Sequence, residues 1–123
     1  MERKHILVID DDLGFRLLLT KLLENAGYSV STAEEGQSGM EAAWSARPDL
    51  VITDILMPVN DGFRTMHMFR QDPSLAVPIV VVSGAIDIRQ SAEVLEAGAA
   101  AFFPKPIDGR ALLAKIGELL DSA

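Results

Sequence analysis

Short apolar runs alternate with amphipathic segments along the whole chain. The runs at 6–9, 50–53 and 79–82 are almost entirely apolar and rich in β-branched side chains. Such runs are typical of strands buried on both faces of a parallel sheet. Residues 28–33 instead alternate polar and apolar, which predicts an edge strand with one face in water. A further run at 101–104 completes a set of five predicted strands.

Five helices are predicted between and after these strands. Asp12 is a suitable cap for the first helix and Gly27 a suitable stop. Its apolar positions have the spacing of one buried face: Phe15, Leu18, Leu19, Leu22 and Ala26. The other four helices are predicted at about 35–47, 62–71, 87–98 and from 108 onwards. In the third helix we expect Phe63, Met66 and Phe69 to face inward.

Strict alternation of five strands and five helices predicts a doubly wound α/β domain, with a five-stranded parallel sheet covered on both faces. The length of 123 residues fits one domain over 1–123. Five strands suit the flavodoxin-like order 2-1-3-4-5, in which the ligand crevice lies at the carboxyl ends of strands 1 and 3.

Polar side chains follow the predicted strands on that side of the sheet. They are Asp10, Asp11 and Asp12 after the first strand, Asp54 after the third, Ser83 after the fourth and Lys105 after the fifth. Two like charges about 4 Å apart repel by roughly 4 kcal/mol at an effective dielectric near 20, so the acidic cluster needs a compensating cation. Mg²⁺ prefers such oxygen ligands, and lysine binds phosphate oxygens. The cluster therefore predicts a site for a metal and a phosphoryl group.

Composition and charge limit the classes of partner and site that the chain can have. The formal net charge is −7, which argues against direct contact with nucleic acid. The chain has no cysteine, which excludes disulfides and thiolate metal sites. No apolar run approaches the length of a membrane span or of a signal-peptide core, so we expect no membrane association and a cytoplasmic location.

At this point the chain resembles the receiver domain of two-component response regulators, over essentially its whole length. Four segments carry the resemblance: Ile6 to Asp12 with Arg16, Asp54 to Gly62 with Met57-Pro58, Val81 to Ala85, and Phe102 to Pro106. The resemblance implies transfer of a phosphoryl group from a histidine kinase or a phosphotransfer protein. It implies a signalling switch, not a conventional enzyme.

The resemblance also implies a metal set. Asp54 would be the phosphoacceptor and, together with Asp11, a direct ligand of Mg²⁺. The main-chain carbonyl of Leu56 would be a further ligand, and Asp10 would act through water.

The remaining roles implied by the resemblance concern the phosphoryl oxygens and the switch. Ser83 and Lys105 would bind the oxygens, and Ser83 would move toward the phosphate while Phe102 rotates inward. The Lys105–Pro106 bond would be cis.

Three departures from the family pattern matter. Phe102 replaces the common tyrosine. Leu56 and Ala85 cannot orient a hydrolytic water, so we expect a long-lived phosphoryl group. The alanines at 99–101 suggest an apolar face of the fourth helix, fifth strand and fifth helix, suited to a downstream protein, an output domain or a second copy.

Two other functions on this topology remain open. A haloacid-dehalogenase-type phosphohydrolase would use Asp10 as the nucleophile, because residues 10–12 satisfy an Asp-x-Asp pattern, but it would leave Asp54 unexplained. A flavodoxin-like cofactor binder would need a phosphate loop after the first strand, where this chain carries acidic residues.

Overall fold

The fold is a five-stranded parallel sheet, seen in a computed structural model that describes residues 3–54, 62–84 and 88–121. The strands are β1 (His5–Ile9), β2 (Ser29–Ala33), β3 (Leu50–Thr53), β4 (Ile79–Ser83) and β5 (Ala101–Pro104). Their order in the sheet is β2-β1-β3-β4-β5, and every neighbouring pair is parallel. The predicted fold class and strand order are confirmed.

Five helices connect and follow the strands. They are α1 (Leu13–Asn25), α2 (Gly36–Ser45), α3 (Gly62–Gln71), α4 (Ile88–Glu96) and α5 (Gly109–Asp121). A short 3₁₀ turn (Pro73–Leu75) precedes β4. The backbone at Gly27 has φ +100°, the left-handed conformation that glycine adopts most easily, so the predicted stop after α1 is correct. Within the described ranges, no helix is long and apolar enough to cross a membrane.

Two hydrophobic clusters lie on opposite faces of the sheet, because successive side chains of a strand point to opposite faces. One combines odd-numbered residues of β1 and β3, such as Leu7 and Val51, with Met66 and Phe69 of α3. The other combines even-numbered strand residues with side chains of α1 and α5: Ile6, Val8, Leu50, Ile52, Leu19, Leu23, Leu112 and Ile116.

Four expectations about burial are wrong. Leu18 is 56% exposed and Ala26 is also exposed, and Leu23 is buried with Leu19. Phe63, in the first turn of α3, is 39% exposed. The alanine segment adds little exposed apolar surface, because Ala99 and Ala101 pack inward. In each case the residue type is right for a core, but the rotation of the helix or strand against the sheet decides which position is covered.

Helix α2 approaches β1 very closely at Gly39. A Cβ atom built at Gly39 would lie 2.5 Å from Cδ1 of Ile9. Ile9 is fully buried and directly precedes Asp10. A larger residue at position 39 would therefore force the Ile9 side chain, next to Asp10, to move.

Candidate functional site: an acidic cluster around Lys105

The ends of β1 and β3 place two carboxylates side by side. The backbone N–H of Asp54 donates to the carbonyl of Ile9 at 3.0 Å, so the ladder between these strands continues to Asp54. The N–H of Asp10 donates to the Ala33 carbonyl of β2 at 3.1 Å. Asp10 is 1% exposed and Asp54 7% exposed, which is unusual for aspartate. Main-chain bonds thus fix both acids at the carboxyl edge of the sheet.

Lys105 bridges the two buried carboxylates. Its Nζ donates to Asp10 Oδ2 at 2.8 Å and to Asp54 Oδ2 at 2.9 Å. The Lys105 backbone N–H donates to the Ser83 carbonyl at 3.0 Å, which fixes the residue at the end of β5. The Lys105–Pro106 peptide bond is cis, as the resemblance implied. Residues distant in sequence therefore meet as the sheet order predicts.

The pKa values of Asp10 and Lys105 depend both on burial and on the hydrogen bonds between these residues. Burial raises the pKa of the Asp10 carboxyl above its ordinary value, and the hydrogen bonds from Lys105 and Asp12 offset this only in part. Burial acts to lower the pKa of Lys105, but its hydrogen bonds to Asp10 and Asp54 outweigh that effect and raise it. We assign the ionised pair, because two short contacts hold the ammonium against two carboxylates.

Asp10, Asp11 and Asp54 form the acidic cluster predicted from the sequence. Each offers a carboxylate oxygen, and these atoms all lie within 4.8 Å of one another. Such a cluster is typical of the receiver metal site. Asp11 is exposed, so the cluster opens to solvent on one side. The donor set consists of oxygen atoms, which fits a hard divalent cation.

Ser83 ends the neighbouring strand with its hydroxyl buried. The residue is 2% exposed, and its Oγ has no hydrogen-bond partner among the residues that the structure describes. A buried hydroxyl without a partner is costly, so it marks a place where a ligand could complete the hydrogen bonding.

The segment after β1 organises the front of the site. Asp12 caps α1, and its Oδ1 accepts from the N–H of Gly14 at 2.9 Å and of Phe15 at 3.4 Å. The interpretation of Asp12 as a cap is therefore correct. Arg16 donates through Nη1 to the Asp10 carbonyl at 2.7 Å, a role that the sequence did not reveal.

The sequence also missed an aromatic contact. The ring of Phe15 lies under the Lys105 ammonium, with 4.1 Å from Nζ to the ring centroid. The helical spacing predicts Phe15 on the buried face of α1, and the structure leaves it half-buried. Its position three residues after the capping aspartate was the available signal, since it places the side chain in the first turn, next to the acidic cluster.

The remaining predicted site residues are Phe102 and the residues that follow Asp54 and Ser83. Phe102 is half-buried and packs against the cluster that contains Val81. Leu56, Met57-Pro58 and Ala85 lie outside the described residues.

His5 lies at the opposite end of β1. Its Nδ1 is 2.8 Å from Ser29 Oγ and its Nε2 is 2.7 Å from Ser31 Oγ. Its backbone N–H donates to Asp49 Oδ2 at 2.8 Å.

Comparison with solved structures supports the same architecture. The chemotaxis protein CheY4 of Vibrio cholerae superposes with a TM-score of 0.89, at 28% identity, over 96% of this chain and 99% of that one. A CheY-like response regulator receiver domain protein of Methanospirillum hungatei superposes with a TM-score of 0.88, at 30% identity, over 98% and 96% of the two chains.

Sequence comparison points to the same family. The transcriptional regulatory protein CseB of Streptomyces avermitilis is 34% identical over 97% of this chain, which corresponds to 50% of CseB. The DNA-binding regulator RpaA of Synechocystis is 34% identical over 94% of this chain and 48% of its own length. The chain thus spans about half the length of these regulators. A model of the response regulator receiver domain matches residues 6–117. The chain therefore belongs to the response regulator receiver domain family of two-component signalling, whose members are signalling modules and not conventional enzymes.

Proposed function

We propose that Asp54 accepts a phosphoryl group in a Mg²⁺-dependent reaction, from a histidine kinase or a phosphotransfer protein, and that the modified domain then changes its contacts with a partner. The observation that carries this proposal is the arrangement of Asp10 and Asp54 around Lys105. A buried carboxylate beside a partly buried cation can serve as a nucleophile whose attacking geometry is fixed in advance.

The acidic cluster is the proposed metal site. Asp11 and Asp54 would bind Mg²⁺ directly and Asp10 through water, with the Leu56 carbonyl as a further ligand. The fit rests on carboxylate oxygens within 4.8 Å of one another and on an excess of negative charge that Lys105 alone does not balance. A bound Mg²⁺ would supply positive charge for the carboxylates and for the phosphoryl oxygens.

In the transfer step, a carboxylate oxygen of Asp54 forms a bond to phosphorus. The bond from phosphorus to the donor nitrogen breaks, and its electron pair stays on the donor imidazole. Lys105 donates a hydrogen bond to one phosphoryl oxygen and Ser83 to another. The support for Ser83 is its buried Oγ without a partner among the described residues. The protein contributes mainly position and charge neutralisation.

The donor must reach the carboxyl edge of the sheet. Helix α1 begins beside this edge and exposes three leucines, Leu13 (60%), Leu17 (60%) and Leu18 (56%). Apolar side chains exposed together on a helix offer a contact surface for another protein. We propose that the phosphodonor protein packs here while its phosphoryl group approaches Asp54.

The switch would pass from Ser83 to Phe102 and the face of α4, β5 and α5. Phe102 is half-buried, so part of the ring is still in solvent and could become buried if it turned inward. Leu95 of α4 is 49% exposed on the proposed output face. We propose that a downstream protein, an output domain or a second copy binds this face. The net charge of −7 supports protein partners and argues against direct nucleic-acid contact.

Intact mass after incubation with Mg²⁺ and acetyl phosphate tests the proposal. We expect one added phosphoryl group, lost in Asp54→Asn and on removal of Mg²⁺ with a chelator. Asp49→Asn is the matched control, because Asp49 lies at the opposite end of the sheet and should leave the reaction unchanged. An adduct that survives in Asp54→Asn and disappears in Asp10→Asn would contradict the proposal in favour of the phosphohydrolase alternative.

A further inference from the structure

The Lys105 ammonium has three contacts in the described structure. Two are the carboxylates of Asp10 and Asp54, and the third is the face of the Phe15 ring, 4.1 Å from Nζ to the ring centroid. An aromatic face carries partial negative charge and attracts a cation within about 6 Å. The Lys105 side chain is only 21% exposed, so solvent weakens this attraction less than at an open surface.

The ring is held in place independently of Lys105. Asp12 caps the helix that carries Phe15 and accepts the Phe15 N–H. The Phe15 side chain is half-buried and packs against the cluster shared by α1 and α5. The aromatic face is therefore a fixed part of the site, whereas a lysine side chain by itself is flexible.

We propose that Phe15 is a positioning residue for phosphoryl transfer, which keeps the Lys105 ammonium at the site while its carboxylate partners change. This inference rests on the proposed phosphorylation of Asp54. When Asp54 bonds to phosphorus, its carboxylate loses its negative charge, and a bound Mg²⁺ would compete with Lys105 for Asp10. The ring alone among the three contacts keeps the same charge distribution throughout the reaction.

The contribution to rate follows from preorganisation. Without the aromatic face, Lys105 can follow Asp10 or turn toward solvent as its contact with Asp54 weakens. The ammonium must then be brought back to meet the phosphoryl oxygen, and this cost appears in the transition state. The aromatic face removes that cost before the donor binds.

Progressive fluorination of the ring at position 15 tests the proposal. Fluorine withdraws electron density and removes the attraction for a cation, while the ring keeps its shape and nearly its volume. We expect the rate of phosphorylation by acetyl phosphate to fall stepwise from phenylalanine through difluoro- to pentafluorophenylalanine, by about two- to thirtyfold in total. A small donor is used so that docking on α1 does not contribute.

The matched control is the same series at Phe103. This ring is also half-buried and packs against the same cluster, and the described residues place no cation over it. Its fluorination should leave the rate unchanged. Phe15→Trp should keep the rate within about threefold and Phe15→Leu should lower it as pentafluorination does, because tryptophan retains an aromatic face for the cation.

The outcomes separate this inference from the proposed function. If the unmodified protein gains a phosphoryl group and the rate is indifferent to fluorination at position 15, the positioning role is overturned and the function stands. The same holds if Phe15→Trp reacts as slowly as Phe15→Leu while both fold, as judged by circular dichroism. If the unmodified protein gains no phosphoryl group on Asp54, both proposals fail together.

Discussion

Both ends of the sheet carry a polar cluster, but the two clusters differ in how far their charges and hydrogen bonds are satisfied within the protein. At the amino end, both ring nitrogens of His5 lie against serine hydroxyls and its backbone N–H donates to Asp49. At the carboxyl end, three carboxylates lie close together and Lys105 contacts two of them, and the Ser83 hydroxyl has no partner among the described residues. The groups of the first cluster satisfy one another's hydrogen bonds, and we expect them to stabilise the fold. The second has excess charge and hydrogen-bonding capacity left for a ligand.

The largest expected effect comes from removing the cation at the carboxyl end. Lys105→Met leaves Asp10 and Asp54 facing each other without compensation. We expect the free energy of unfolding without Mg²⁺ to fall by about 2 to 3 kcal/mol, less than for a fully buried pair because Lys105 is partly exposed. Urea denaturation measures this. The phosphorylation rate should fall by roughly 100-fold, because the positive charge that binds the phosphoryl oxygens is lost.

The control for that prediction is Lys115→Met. Lys115 pairs with Glu118 at 3.5 Å on the surface of α5, where Glu118 is 69% exposed. Its loss should cost less than about 0.5 kcal/mol. Equal losses of stability in the two variants would contradict the special role of the carboxyl end.

The next effect is at the amino end. His5→Leu removes the ring that joins Ser29 and Ser31, and we expect a loss of about 1 to 2 kcal/mol in the free energy of unfolding. Phosphorylation by acetyl phosphate should proceed at the original rate. A slower reaction in a folded His5→Leu protein would show that the two ends are coupled, and the comparison would fail.

Two serines sharpen the comparison further. Ser83→Ala removes a buried hydroxyl without a described partner, so we expect stability to be unchanged or higher by about 0.5 to 1 kcal/mol. Its phosphorylation should slow by about tenfold, because one hydrogen bond to the phosphoryl group is lost. Ser31→Ala should show the reverse, with about 1 kcal/mol lost and no change in rate. Paired thermal melts and phosphorylation kinetics would measure both.

The smallest effect is a local change with pH at the amino end. Trp44 donates from Nε1 to Asp72 Oδ2 at 2.8 Å. This bond, with those from Ser74, lowers the pKa of Asp72 below its ordinary value of 3.8. The contact is therefore present above that value and is lost as pH falls through the lowered pKa. Trp44 is the only tryptophan in the chain, so its fluorescence reports the transition directly.

Asp72→Ala provides the control for this titration. Its fluorescence at neutral pH should already resemble that of the acidified original protein, and it should show no transition at low pH before global unfolding. Circular dichroism identifies global unfolding. A transition above pH 3.8 would contradict the assignment to Asp72.

The sequence was sufficient to predict the sheet and most of the acidic site. Continuous apolar runs revealed the central strands, and parallel order then brought Asp10, Asp54 and Lys105 together without any contact being visible in the sequence. The cap at Asp12 followed from a local preference of helix starts. These features depend on periodicity and on neighbours in sequence, which a sequence displays directly.

Other features depend on how helices are rotated and on side-chain directions across the sheet. The exposure of Leu18 and Phe63 is set by which side of each helix meets the strands, and the composition of the helix does not determine it. The His5 contacts with Ser29 and Ser31 require the register of two strands, which periodicity leaves open. The contact between the Phe15 ring and Lys105 joins α1 to the end of β5, two elements that lie far apart in the chain.

The close approach at Gly39 has a consequence for how this site can vary during evolution. Ile9 ends β1 directly before Asp10, and even a methyl group on Gly39 would press on Ile9. A change in α2, which contributes no group to the acidic site described here, would therefore press on the side chain that directly precedes the first carboxylate. An Ile9→Val background removes the Cδ1 atom of residue 9, so Gly39→Ala should be tolerated more readily there than beside Ile9.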